Sequence, residues 1–108
     1  MKAAVKASGR RKLIMSGLWT GGCPAFTTLD ALNDGFEIYA VSDAMGETSA
    51  DAHERAMQRM IQAGATLLTW GVVLAEIQRD YSRTDTLGDV VEVLGTHLFN
   101  QATEPVAV

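Results

Sequence analysis

Three short apolar runs, each followed by a stretch with helical spacing, set the narrowest limits on what this chain folds into. The runs are "KLIMSGL" at 12–18, "FEIYAVSDA" at 36–44 and "ATLLT" at 65–69, all of strand length. The first is continuously apolar, as expected of a strand covered on both faces in a parallel sheet. The second is β-branched and aromatic in its middle. After the first run, Ala25, Phe26, Leu29 and Leu32 form a stripe that predicts a helix over 24–34, with Pro24 tolerated in its first turn and Gly35 ending it. After the second, the expected face is His53, Ala56, Met57, Met60 and Ile61, in a helix that runs to about 63 and stops at Gly64. Thr48-x-x-Asp51 resembles a capping box at its start. After the third, Thr69 is placed to cap a helix over 70–80 with Trp70, Val73, Leu74 and Ile77 on one face. Thr86-x-x-Asp89 marks the start of a last helix to about 98, and residues 2–8 read as the end of a helix closed by Gly9.

Alternation of this kind means βαβ units, right-handed by rule, and a parallel sheet between helices. The expected fold class is therefore α/β, a three-layer α/β/α Rossmann-like parallel sheet. Three strands are few for such a sheet, which usually has five or six. The sequence reads as part of a domain over residues 1–98, followed by a loose tail at 99–108.

The balance of residues excludes several function classes. With 47% hydrophobic and 20% charged residues, the 108-residue chain has the makeup of one ordinary globular domain. Its net charge of −4 argues against a nucleic-acid partner, and the basic cluster Arg10-Arg11-Lys12 reads as a solvated strand end. No apolar run approaches the ~20 residues of a membrane span, and the N-terminus lacks a signal-peptide pattern. A lone cysteine cannot form an internal disulfide and lacks the partner of a C-x-x-C redox motif, so a cytoplasmic location is expected. No pair among His53, His97 and Cys23 has zinc-site spacing. The residues present call for neither a metal nor a cofactor.

That lone cysteine stands in "GLWTGGCPAF", residues 17–26. The stretch links the carboxyl end of a strand to a helix, which is where sites form in open α/β sheets. The helix N-terminus favours a thiolate. Unpaired N–H groups of its first turn are suited to an oxyanion, and Gly21 and Gly22 admit close backbone approach. Cys23 is thus either a nucleophile at an elbow or an inert small residue in a tight turn. A nucleophile also needs a base.

The segments "GLWT" followed by Cys23, "YAVSDAMGETSADAHERAMQRMIQAGA" and "AEIQRDY" resemble, in order and spacing, the C-terminal half of the isochorismatase-like cysteine hydrolases, the YcaC-type branch in particular. The resemblance covers roughly residues 2–94. It implies a doubly wound sheet and hydrolysis of an amide or related bond through a cysteine thioester. It implies that Cys23 is the nucleophile and that the backbone from Trp19 through Thr20 and Gly22 to Cys23 forms the oxyanion turn, usually with a non-proline cis peptide. The branch usually has an acidic and then a β-branched residue before the cysteine and an apolar one after it. Gly21, Gly22 and Pro24 stand there instead. The aspartate and lysine that work with the family's cysteine belong to the N-terminal half, and no segment here matches them. Lys12 lies at the wrong end of its strand.

His53 reads either as a core histidine or as a wall of the active-site cleft, which is where the family pattern puts it. Asp43 reads as a turn former capping a strand end or as a polar wall of the site. Trp19 reads as a packing residue or pocket wall, Trp70 as core or subunit interface, Met57 and Met60 as helix-face packing, and His97 as solvent-exposed. The leading expectation is a truncated family hydrolase, inactive alone, that meets small-molecule substrates only at family level. Partners expected of it are further copies of itself or a chain carrying the N-terminal half. The rival expectation is a non-catalytic module that pairs through an exposed sheet edge.

Overall fold

The computed structural model describes residues 2–99, and the expected loose tail lies outside them apart from Phe99. The elements run α1 (Lys2–Ala7), β1 (Lys12–Leu18), α2 (Cys23–Asn33), β2 (Glu37–Gly46), α3 (Ala50–Ala63), β3 (Thr66–Leu68), α4 (Trp70–Gln78) and α5 (Thr84–Val93), which passes into a π-helical segment at Leu94–Phe99. The architecture is α/β. Two compact units meet in the chain at Trp70/Gly71. No helix among the described residues is long and apolar enough to cross a membrane.

In the first unit the three strands form one parallel sheet in the order β1-β2-β3. Sequential order with crossovers of one hand puts both connecting helices on the same face, and α2 and α3 pack on each other and on the sheet. The core between them is Ala25, Ile38, Ala40, Met57, Met60 and Ala65, with Leu13 and Met15 of β1 against it. Met60 is fully buried, a burial worth roughly 1.5–3 kcal/mol. Gly64, at φ +112°, takes the left-handed conformation that closes α3, and its N–H bonds Ile61 O at 3.0 Å.

β1 is not covered on both faces as its continuous apolar run predicts. It alternates, with Lys12, Ile14, Ser16 and Leu18 exposed and Leu13 and Met15 turned to the core. Two predicted helix faces also shift. Phe26 of α2 is 60% exposed, and the Arg59 guanidinium stands over its ring, 5.2 Å from the centroid. Ile61 lies on the outer side of α3, while Ala56, Met57 and Met60 are buried.

Two helix starts differ from the sequence reading. Ser49, not Thr48, caps α3 by accepting the Ala52 N–H at 3.1 Å, and Asp51 faces Arg55 one turn on at 3.6 Å. At the start of α4, the Asp43 carboxylate accepts the Trp70 N–H at 2.8 Å. α5 opens two residues before Thr86, whose hydroxyl instead donates to Gln78 Oε1 at 2.6 Å.

The second unit is organised around that glutamine. Gln78 is buried, and its amide nitrogen donates to Asp80 O at 3.0 Å and Arg83 O at 3.1 Å. Those bonds tie the end of α4 to the start of α5. Ile77, expected on the apolar face of α4, is exposed, and so is His97.

Candidate active site: the turn between β1 and α2

A register shift between Met15 and Gly17 carries β2 past the expected strand end, so that Met45 and Gly46 pair with Gly17 and Leu18. Gly17 has φ +134°, a conformation that favours glycine. The Leu18–Trp19 peptide is cis. Residues 19–22 then fold into a turn closed by the Gly22 N–H on Trp19 O at 2.7 Å, and Cys23 follows as the first residue of α2. Its thiol is exposed, and among the described residues it makes no side-chain hydrogen bond. Pro24 behind it is buried.

The extension of β2 places acceptors under the turn. Gly46 O receives both the Thr20 N–H, at 2.8 Å, and the Thr20 hydroxyl, at 3.0 Å. Thr20 is fully buried, and its Oγ1 also lies 2.7 Å from Nδ1 of His53 on α3. A hydroxyl has one proton. With that proton on Gly46, Nδ1–H of His53 is the donor to Thr20. The Gly21 N–H donates to Glu47 Oε2 at 2.7 Å, and the Thr48 N–H donates to Oε1 of the same carboxylate at 3.0 Å. These two amides, Gly21 first, and the neighbouring His53 hold the Glu47 carboxyl below its ordinary value of 4.5, against a smaller opposing effect of desolvation.

The backbone N–H groups of Thr20 and Gly22 are therefore committed to bracing the turn. Those of Trp19 and Cys23 take part in none of these bonds. Trp19 is 61% exposed, beside the elbow rather than packed within it. His53 is partly buried and bonded to a threonine hydroxyl, so it stands against the turn from below. Asp43 lies inside β2 and not in a turn at the strand's end, because the strand runs on to Gly46; its carboxylate accepts from the start of α4, and it makes no described contact with the turn between β1 and α2. Lys12 opens β1, at the strand end opposite the turn. Met57 and Met60 are core, and Trp70 is half-buried.

Glu47 was not among the residues that the sequence singled out. The signal was present, since a carboxylate just past the carboxyl end of the neighbouring strand lies at the site edge of an α/β sheet. Among the described residues no group of three or more His, Cys, Asp and Glu is placed to hold a metal ion.

Comparison with known proteins assigns the fold. Residues 1–71 match the isochorismatase domain model. The probable hydrolase YcaC of Escherichia coli is 42% identical over 85 residues, covering 79% of this chain and 40% of that protein. The structure of YcaC from Pseudomonas aeruginosa, with hexane-2,5-diol and covalent acrylamide, superimposes with a TM-score of 0.85 at 39% identity, over 94% of this chain and 49% of that one. The Escherichia coli YcaC structure, an octameric hydrolase of unknown specificity, gives a TM-score of 0.76 at 32% identity over 94% of this chain and 53% of that one. The chain thus spans about half the length of these structures and less of the curated relative. The match of the family model, the parallel sheet and the likeness to both YcaC structures lead to one statement: the chain belongs to the isochorismatase family.

Proposed function

We propose that this chain carries the nucleophile of an isochorismatase-type hydrolase that cleaves an amide or a related C–N or ester-type bond. The observation that supports it is the exposed Cys23 at the first residue of α2, directly after a braced turn at the carboxyl end of β1. In the reaction the thiolate sulfur attacks the substrate carbonyl carbon, and the C=O electron pair moves to oxygen. The N–H groups of Trp19 and Cys23 are the turn's donors for that oxyanion, because those of Thr20 and Gly22 are used internally. Collapse expels the amine or alcohol, which leaves with a proton, and gives a thioester. Water then cleaves the thioester and returns the proton to sulfur.

Two proton transfers in this scheme need a base and an acid. The family supplies them from an aspartate and a lysine that have no counterpart in these 108 residues. This stretch alone is therefore inactive in turnover and is completed by an N-terminal half. Its substrate is a small carbonyl compound and its setting the cytoplasm. It works as an oligomer, in keeping with the octameric Escherichia coli relative. The test is an amidase and esterase screen of the 108-residue chain. No turnover is expected. Turnover that is lost in Cys23→Ser yet survives a metal chelator overturns the reading, because it requires a base within these residues.

A second reading, a non-catalytic assembly module, is favoured by one observation. β1 is an edge strand, and Ile14 and Leu18 on it are 59% and 66% exposed. An unpaired apolar edge is a template for another strand.

A further inference from the structure

The turn that precedes Cys23 is built from residues that hold no shape by themselves. Gly21 and Gly22 together give the backbone wide freedom, and the one bond internal to the turn is Gly22 N–H to Trp19 O. What holds the turn in place comes from elsewhere. The Glu47 carboxylate, just past β2, holds the Gly21 amide at 2.7 Å, and His53, from α3, lies 2.7 Å from the buried Thr20 hydroxyl. We propose that Glu47 and His53 are positioning residues for Cys23 and act as a two-point clamp on the consecutive residues Gly21 and Thr20. The proposal rests on the reading of Cys23 as the nucleophile.

Gly21 and Glu47 depend on each other sterically. A Cβ added at residue 21 would meet Glu47 Oε2 at 3.0 Å and Ala56 Cβ at 3.8 Å. The first contact is tighter than most, so the carboxylate would have to give way by a few tenths of an ångström, and the second is ordinary. Residue 21 is not in the left-handed region, so no backbone reason requires glycine there. Glycine lets the carboxylate reach the amide without that displacement. Glu47 in turn supplies a bond that a Gly-Gly turn cannot make for itself. The second oxygen of Glu47 is fixed by the Thr48 amide at 3.0 Å, so the carboxylate is a prepared anchor and not a loose surface charge. Thr20 meets the same end of β2 through two bonds to Gly46 O.

The experiment compares the rate of Cys23 alkylation by acrylamide in the native chain with that in the urea-unfolded chain. It is run on wild type, Glu47→Ala, Glu47→Gln and Gly21→Ala, with circular dichroism confirming folding. The clamp predicts that Glu47→Ala and Gly21→Ala each lose at least threefold of the native-over-unfolded enhancement. It predicts that Glu47→Gln, which keeps an acceptor for the Gly21 amide, stays within twofold of wild type. Equal behaviour of Glu47→Ala and Glu47→Gln, or a native rate indifferent to both, overturns it. A wild-type chain with no enhancement counts against the nucleophile reading instead. In that case, or where Glu47→Ala does not fold, the amide resonance of Gly21 in the unmutated chain decides. A shift that follows the Glu47 titration supports the clamp, and one that ignores it refutes the clamp.

Discussion

The Thr20 hydroxyl of the turn and Nδ1 of His53 on α3 stand 2.7 Å apart, and the same hydroxyl lies 3.0 Å from Gly46 O. One buried side chain therefore joins the turn, the end of β2 and the helix that covers the sheet. Thr20→Val keeps the shape and removes both bonds. It leaves Gly46 O with one bond fewer and His53 Nδ1 without its acceptor, at a cost of about 1–3 kcal/mol. Thr20→Ser is expected to recover most of that. Urea unfolding followed by far-ultraviolet circular dichroism measures both, and an unchanged midpoint in the valine variant contradicts the network.

Glu47 makes folding depend on pH. Its carboxyl is held below the ordinary 4.5 by the Gly21 and Thr48 amides, then by His53. A lowered folded value means that the unfolded chain binds the proton more readily, so acid favours unfolding. The stabilisation is full above 4.5, the unfolded value, and is lost as pH falls through the lower folded value. Replacement by Gln is expected to flatten the fall of stability as pH drops below 4.5, relative to wild type. Parallel curves for the two proteins over that range contradict the assignment.

Thr28 on α2 is fully buried, and its Oγ1 has no hydrogen-bond partner among the described residues. An unpaired buried hydroxyl costs about 1–3 kcal/mol. Thr28→Val, of the same shape, is expected to raise stability by a part of that, about 1 kcal/mol. A lower melting temperature in the valine variant contradicts the unsatisfied state of the hydroxyl.

The strands and helices were legible because their signals are local. "KLIMSGL" matches β1 residue for residue, and the helix predicted over 24–34 is α2 shifted by one. The misreadings arise where a partner distant in sequence decides. Asp43 takes the Trp70 amide across the gap from β2 to α4, a bond that no local pattern shows. Thr86 serves Gln78 rather than a helix start. Phe26 stays at the surface with Arg59 of the next helix over its ring, a pairing that no local pattern shows. At the turn, the place of Cys23 between a strand and a helix was legible, while its reading as a nucleophile came from the family resemblance. Glu47 was not legible, because its role depends on a β2 register shift that lengthens the strand up to Gly46.

The edge of β1 is the surface on which assembly is expected. Ile14 and Leu18 are exposed on a strand that bonds only to β2 in this sheet. Self-association, or pairing with a chain that carries the N-terminal half, is expected to cover that edge. Sedimentation at micromolar concentration should show species larger than a monomer, and Ile14→Lys should shift them toward monomer. A clean monomer that unfolds cooperatively contradicts this expectation.

The most direct test of the central claim is acylation of the 108-residue chain by p-nitrophenyl acetate, with released nitrophenol and intact mass followed together. A nucleophile without its base and acid acylates once and stalls. The account predicts a burst of about one equivalent of nitrophenol and a single acetyl group on Cys23. The acylation is faster than in the urea-unfolded chain, there is no continued release, and Cys23→Ser shows no burst. Sustained release that depends on Cys23, or acylation no faster than in the unfolded chain, would contradict it.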